Sequence, residues 1–202
     1  INPEIGTEEE LVQLTEALKQ SGISWIQDIV PNHMAFHPQN NRLMDVLVNG
    51  VESQYYRSFD IDVAFAKGEQ LTVPFLGGNL EELIQKGSVY ILKKAGQCYI
   101  HDGSQDWPLR VDMQPGLLEA DLEAVNADKA LLNKIVQGQY YRLCDWASVQ
   151  DGVNYRRFFT VNELICLNMQ KREVFDDYHH YILKLVKKGI FQGLRIDHVD
   201  GL

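Results

Sequence analysis

No stretch of this chain comes near the run of about 20 apolar residues that a bilayer-spanning helix needs, which sets a membrane-spanning reading aside. The start, Ile1-Asn-Pro-Glu4, lacks the basic and then apolar form of a secretory signal, and it lacks an initiator methionine. The chain is therefore expected to be cut from something longer. Positive charge is also short. Nineteen Lys and Arg against 28 Asp and Glu leave a net charge of -9, which argues against a nucleic-acid partner. Neither of the two apolar strand patterns is followed by a glycine-rich loop, so a doubly wound nucleotide-binding fold has no phosphate cradle here. Cysteine is scarce as well: Cys98, Cys144 and Cys166 are odd in number, widely spaced, and set beside apolar or aromatic residues. They read as buried thiols in a reducing cytoplasm, not as a disulfide or a metal site.

What is present suffices for one domain with a core, or for a domain carrying a large insertion. Thr7-Glu-Glu-Glu10 has the form of a capping box, with Leu11, Leu14 and Leu18 at helical spacing after it and Gly22 as the stop. An apolar strand pattern, Ile23 to Val30, follows at once. From Met34 to about Gln170 this alternation is lost. A short helix is expected over Leu43 to Val48, and another from Leu80 to Lys86 capped by Asn79. A hairpin is expected around Lys94-Ala-Gly96, and a helix capped by Asn126 that ends at Gly138. Near Lys171 a charged, amphipathic helix resumes, acidic at its start and basic at its end, and Gly193 to Asp197 reads as the next strand.

The order helix, strand, long insertion, helix, strand gives the expected fold class: α/β, a partial (β/α)8 TIM barrel with a large mixed α+β insertion subdomain. The barrel segments are 1–33 and 171–202 and the insertion is 34–170, too long for an ordinary barrel connection. In such a barrel, functional side chains gather at the C-terminal ends of strands. Two strand ends here carry polar groups: Asp28, Asn32 and His33 on the first, Arg195 and Asp197 on the second. Arg195 and Asp197 share one side of the pleat, and Leu194 and Ile196 the other. An arginine and an aspartate so placed form either a structural ion pair or part of a site.

The stretches Asp28-Ile-Val-Pro-Asn-His33 and Gly193-Leu-Arg-Ile-Asp197 resemble the first and second signature regions of glycoside hydrolase family 13, the α-amylase family. Asn154-Tyr-Arg-Arg-Phe-Phe159, Val161-Asn-Glu-Leu164 and Asp197-His-Val-Asp-Gly-Leu202 are similar to its trehalose-forming branch. The resemblance runs from Ile1 to Leu202. It implies that the two strands are the third and fourth of the barrel, with the inserted domain after the third. It also implies a retaining transglucosylation within one maltooligosaccharide, turning the reducing-end α-1,4 linkage into an α,α-1,1 linkage.

On that resemblance Asp197 is the nucleophile, and Arg195 keeps it ionised and oriented. Asn32 and His33 hydrogen-bond the sugar or brace Asp197, while Asp28 braces the strand from deeper in. Asp200 and His198 stand on the substrate side. His198 points away from Asp197 if the strand stays regular; at a strand end it can turn towards sugar, and core packing is an equal reading for it. Tyr155, Arg156 and Arg157 lean towards the sugar cleft, while Phe158 and Phe159 are as well read as anchors of the insertion. The general acid and a second aspartate are expected beyond Leu202, so the chain alone is expected to bind sugar poorly and to catalyse nothing. Where α-amylases commonly place Lys-His after the nucleophile, this chain has Asp200-Gly201, so no metal or other cofactor is expected. The rival readings are an α-glucan hydrolase of the same family and an inert carbohydrate-binding barrel.

Overall fold

The structure is a computed structural model that describes residues 1–149 and 152–199. In chain order the elements are α1 (Glu8–Gln20), β1 (Ile26–Ile29), β2 (His33–Ala35), α2 (Asn41–Asn49), β3 (Leu71–Leu76) and α3 (Leu80–Gln85). They continue with β4 (Tyr90–Lys94), β5 (Gln97–His101), β6 (Asp106–Pro108), α4 (Gln114–Glu119), α5 (Leu122–Ala127) and α6 (Lys129–Gln137). The last four are β7 (Tyr141–Asp145), β8 (Leu164–Cys166), α7 (Arg172–Lys187) and β9 (Gly193–Ile196). The fold is mixed α/β, and no described helix is long and apolar enough to cross a membrane.

Two compact units result: Ile1–His33 with Leu167–Leu202, and Met34–Cys166. The second division falls at 166/167, not at 170/171. The Leu167 amide already donates to the Asn32 carbonyl at 2.9 Å, and Met169 is already buried.

In the first unit α1 starts where the capping box is expected. The Glu10 amide donates to the Thr7 hydroxyl at 3.2 Å, and the Thr7 amide to the Glu10 carboxylate at 2.8 Å. Two orphan donors of the first turn are thereby satisfied. Glu8 then reaches Lys188 at 2.5 Å and Lys184 at 3.2 Å, and these cations at the C-terminal end of α7 hold its carboxyl below the usual carboxylate range. Beneath them Leu185, Ile190 and Phe191 form a small buried core with Leu11, Trp25, Ile182 and Val186 packed on it.

β1 and β9 pair in parallel, with Ile26 opposite Gly193, Gln27 opposite Leu194, Asp28 opposite Arg195 and Ile29 opposite Ile196. Gln192 sets this register. Its side-chain oxygen accepts from the Trp25 amide at 2.7 Å, and the Gln192 amide donates to the Trp25 carbonyl at 3.0 Å. Parallel neighbours need a crossover connection, and everything between Val30 and Gln192 supplies it, with α7 as its last helix.

The second unit holds a parallel β3–β7 pair and the antiparallel sheet β4-β5-β6. Met34 and Ala35 carry β2 into it, where β2 pairs with β8. Its core is aromatic and aliphatic: Phe36, Leu43, Leu47, Phe59, Trp107 and Tyr141 are all essentially inaccessible. The β4–β5 turn puts both Ala95 (φ 49°) and Gly96 (φ 78°) in the left-handed region, as a tight two-residue hairpin requires.

Side-chain amides close strand positions that no neighbouring strand reaches. Asn126 bonds both the amide and the carbonyl of Ile91, each at 2.8 Å. Gln114 does the same to Cys98, at 2.9 Å for both bonds. Asn154 accepts from the Thr72 amide and donates to the Gln70 carbonyl, both at 2.8 Å. A buried backbone group left unpaired costs about 1–3 kcal/mol, so these amides serve as the missing strand. The expected helix start at Asn126 is thereby corrected. Asn126 lies inside α5, while Asp121 caps α5 and Asp128 caps α6 through their carboxylates.

Candidate functional site

The parallel register brings Asp28 and Arg195 side by side, because cross-strand partners project to the same face. The Arg195 guanidinium donates to Asp28 at 2.7 Å and to Asp197 at 3.4 Å. It therefore spans two carboxylates, with the closer bond to Asp28. Past the end of β9 the Asp197 amide donates to the Ile29 carbonyl at 2.9 Å, which fixes the height at which its carboxylate emerges. The pleat then breaks. His198 takes φ 55°, a left-handed conformation that a residue with a Cβ adopts only under constraint. The break returns the His198 ring to the same side as Asp197, with its Nε2 at 3.5 Å from the second carboxylate oxygen. The strand does not stay regular at His198, and this backbone turn is why the ring does not point away from Asp197.

Asn32 supplies that constraint. It is fully buried, and its side-chain NH2 donates to the His198 carbonyl at 2.6 Å. Its oxygen lies 2.6 Å from His33 Nδ1. An amide oxygen can only accept, so His33 carries its proton on Nδ1 and presents Nε2 as an acceptor when neutral. Asn32 thus has its amide engaged on both sides and no surface exposed. Its amide ties the backbone carbonyl one residue after Asp197 to the His33 ring.

Burial first, and then the nearby His198, hold the His33 imidazole below its ordinary pKa. Folding thus favours neutral His33. Above the unfolded value of about 6.5 this contribution to stability is fully present, and it is lost as pH falls through the lower folded value. The urea midpoint of the native protein should therefore drop between pH 7.5 and pH 5.5 by more than that of His33→Gln, which keeps an N–H for Asn32 and does not titrate. Equal drops in the two proteins would remove His33 from the account.

The Asn154 to Phe159 block lies in the second unit. Tyr155 is buried there, with its ring 5.2 Å from Phe36 between centroids and its hydroxyl donating to the Asn162 carbonyl at 3.1 Å. Burial raises its phenol well above the ordinary value. Tyr155 is a core residue of that unit, which corrects its expected place on a sugar-facing surface. Arg156 bonds Asp60 at 2.6 Å, and Arg157 bonds the Asn162 side chain at 2.7 Å. Both arginines thus tie loops within the unit. Phe158 is buried, whereas Phe159 is 65% exposed at φ 52°. Asn162, within the Val161–Leu164 stretch, is a partner of both Tyr155 and Arg157, a pairing that no spacing in the sequence marks. Asp200 lies outside the described residues.

No protein-family model matches the chain. A protein of Mycobacterium tuberculosis, provisionally named a maltooligosyl trehalose synthase, is 30% identical over 204 residues; the match takes in all of this chain and 23% of that protein. A crystal structure of a maltooligosyl trehalose synthase superposes with a TM-score of 0.78 at 37% identity, covering the whole chain and 24% of the other. The maltooligosyltrehalose synthase of Arthrobacter ramosus gives 0.76 at 30% identity, covering 96% of this chain and 23% of the other. The chain spans about a quarter of the length of these relatives, and over that span it is a homologue of the maltooligosyl trehalose synthases.

Proposed function

We propose that the chain is the part of a trehalose-forming α-glucan enzyme that carries its nucleophile, on two neighbouring strands of a (β/α)8 barrel. The observation that carries this reading is the Asp197 carboxylate at the tip of a parallel strand. It lies between the Arg195 guanidinium and the His198 ring, in a chain homologous end to end to maltooligosyl trehalose synthases.

In the proposed reaction Asp197 attacks the anomeric carbon at the terminal α-1,4 bond, and the glycosidic oxygen leaves protonated by a general acid. The resemblance assigns that acid to a stretch after Leu202. Arg195 donates to the nucleophile and limits its rotation, while Asp28 fixes Arg195 in turn. The released glucose turns without leaving. Its own anomeric hydroxyl, deprotonated by the same acid acting in reverse, attacks the glycosyl-enzyme carbon and frees Asp197. An α,α-1,1 bond forms with net retention and no water consumed. His198 and Asp200 serve on the substrate side of this reading.

A reducing cytoplasm suits the chain, as Cys98, Cys144 and Cys166 are all buried and free, with burial pushing each thiol up. The test is to give the full-length protein a maltooligosaccharide of about five glucose units and to follow reducing ends. Reducing ends that vanish without glucose release are the expected result. An increase would make it a hydrolase, and no change an inert sugar-binding barrel.

A further inference from the structure

The second unit contains a groove of about 660 Å³ that the proposed reaction does not use, lined entirely by residues of that unit. Its volume is within the range of small-ligand sites. One wall is α2, through Met44 and Val48; the other is the β4–β5 hairpin and the turn after it, through Gln97, Tyr99 and Gln105. We propose that this groove binds a short, neutral glucan segment, an inference that rests on the α-glucan reading for the identity of the sugar.

Gln105 is the first reason. Its side-chain oxygen is buried, and among the described residues it has no hydrogen-bond partner. An unmet buried amide is costly, and native proteins keep few of them. The backbone that presents it is firmly built. Asp102 accepts from the amides of Ser104 and Gln105 at 2.8 and 2.7 Å through one oxygen, and from the Trp107 indole at 2.7 Å through the other. A rotation about the last torsions of Gln105 would exchange the unmet state for a bond to a ligand hydroxyl.

Charge is the second reason. Lys94 is already matched by Asp106 at 3.0 Å. Asp45 spends its two oxygens on Asn49 at 2.9 Å and on Ser53 at 2.5 Å, both neutral donors. A ligand anion would meet Asp45 and Asp106 with no unmatched cation among the lining residues, and a ligand cation would compete with Lys94. What remains is amide and hydroxyl chemistry beside apolar carbon: Gln97 and Gln105 for hydroxyls, and Tyr99, Met44 and Val48 for the C–H face of a sugar ring.

Hydrogen–deuterium exchange on the full-length protein with saturating maltotriose tests this, with glycerol at equal hydroxyl concentration as the control. Slower exchange over residues 41–48 and 97–108 is expected with maltotriose alone. Gln105→Leu should weaken that protection roughly tenfold in maltotriose concentration, the loss of one hydrogen bond. It should leave the melting temperature equal or higher, since it deletes an unmet polar group. The inference is overturned if residues 97–108 gain no protection, or if Gln105→Leu responds like the native protein. Protection near residues 28–33 and 193–198 without any at 97–108 overturns it and leaves the proposed function standing. The reverse pattern keeps the groove and removes the proposed function.

Discussion

Replacing Asp197 by asparagine in the full-length protein should lower maltooligosaccharide turnover by at least roughly 10³-fold, the scale on which loss of a nucleophile is felt. The folded state should barely notice. The Asp197 backbone amide still donates to Ile29, and the asparagine oxygen can still accept from Arg195, whose closer bond is in any case to Asp28. The urea midpoint should therefore stay within about 0.5 kcal/mol of the native protein, as for a substitution that opens no cavity and buries no charge. What disappears is the second electron-rich oxygen, the one that must become an ester oxygen on the anomeric carbon. Near-normal turnover in this variant would mean that another carboxylate attacks, and the assignment built on the second signature region would go.

How much of this was legible in the sequence follows from whether the information is local. The capping box at Thr7, the Asn79 cap and the Ala95-Gly96 turn depend on residues a few positions apart, and each stands where the sequence put it. The two strands and the helix between them also emerged, since apolar periodicity is repeated within each. Asn126 was misread because Asn126-Ala-Asp-Lys129 contains two cap-forming residues, and only the tertiary partner Ile91 decides which one caps. Tyr155 was misread for a similar reason. An amphipathic side chain suits a cleft or a core, and the Asn162 carbonyl that satisfies its hydroxyl is not marked by any pattern. Within the site, residue types near each strand end were legible. Their pairing was not, because Asp28 and Arg195 are 167 residues apart and meet only through the register that Gln192 sets.

Asn32 is where fold and chemistry meet, and Asn32→Ala should cost both. The substitution leaves the His198 carbonyl and His33 Nδ1 without the amide that each now contacts at 2.6 Å, and it opens a small void at a fully buried position. Two polar groups losing a partner, at about 1–3 kcal/mol each and partly rescued by entering water, give an expected loss of about 2–4 kcal/mol. The second effect is on turnover. His198 holds a left-handed backbone conformation one residue after Asp197, the proposed nucleophile, and the bond from Asn32 is what offsets that strain. Released from it, the segment can return to an extended path that swings the His198 ring away from Asp197 and lets the carboxylate drift. Misplacement of a reacting group by about 1 Å costs on the order of 10²-fold, so kcat should fall by about that much while KM moves far less. Denaturation in urea gives the first number and steady-state kinetics at a temperature where the variant is fully folded gives the second. If stability fell as expected while kcat held, Asn32 would be a core residue that happens to lie beside the site, and the left-handed turn at His198 would have to be held by something else.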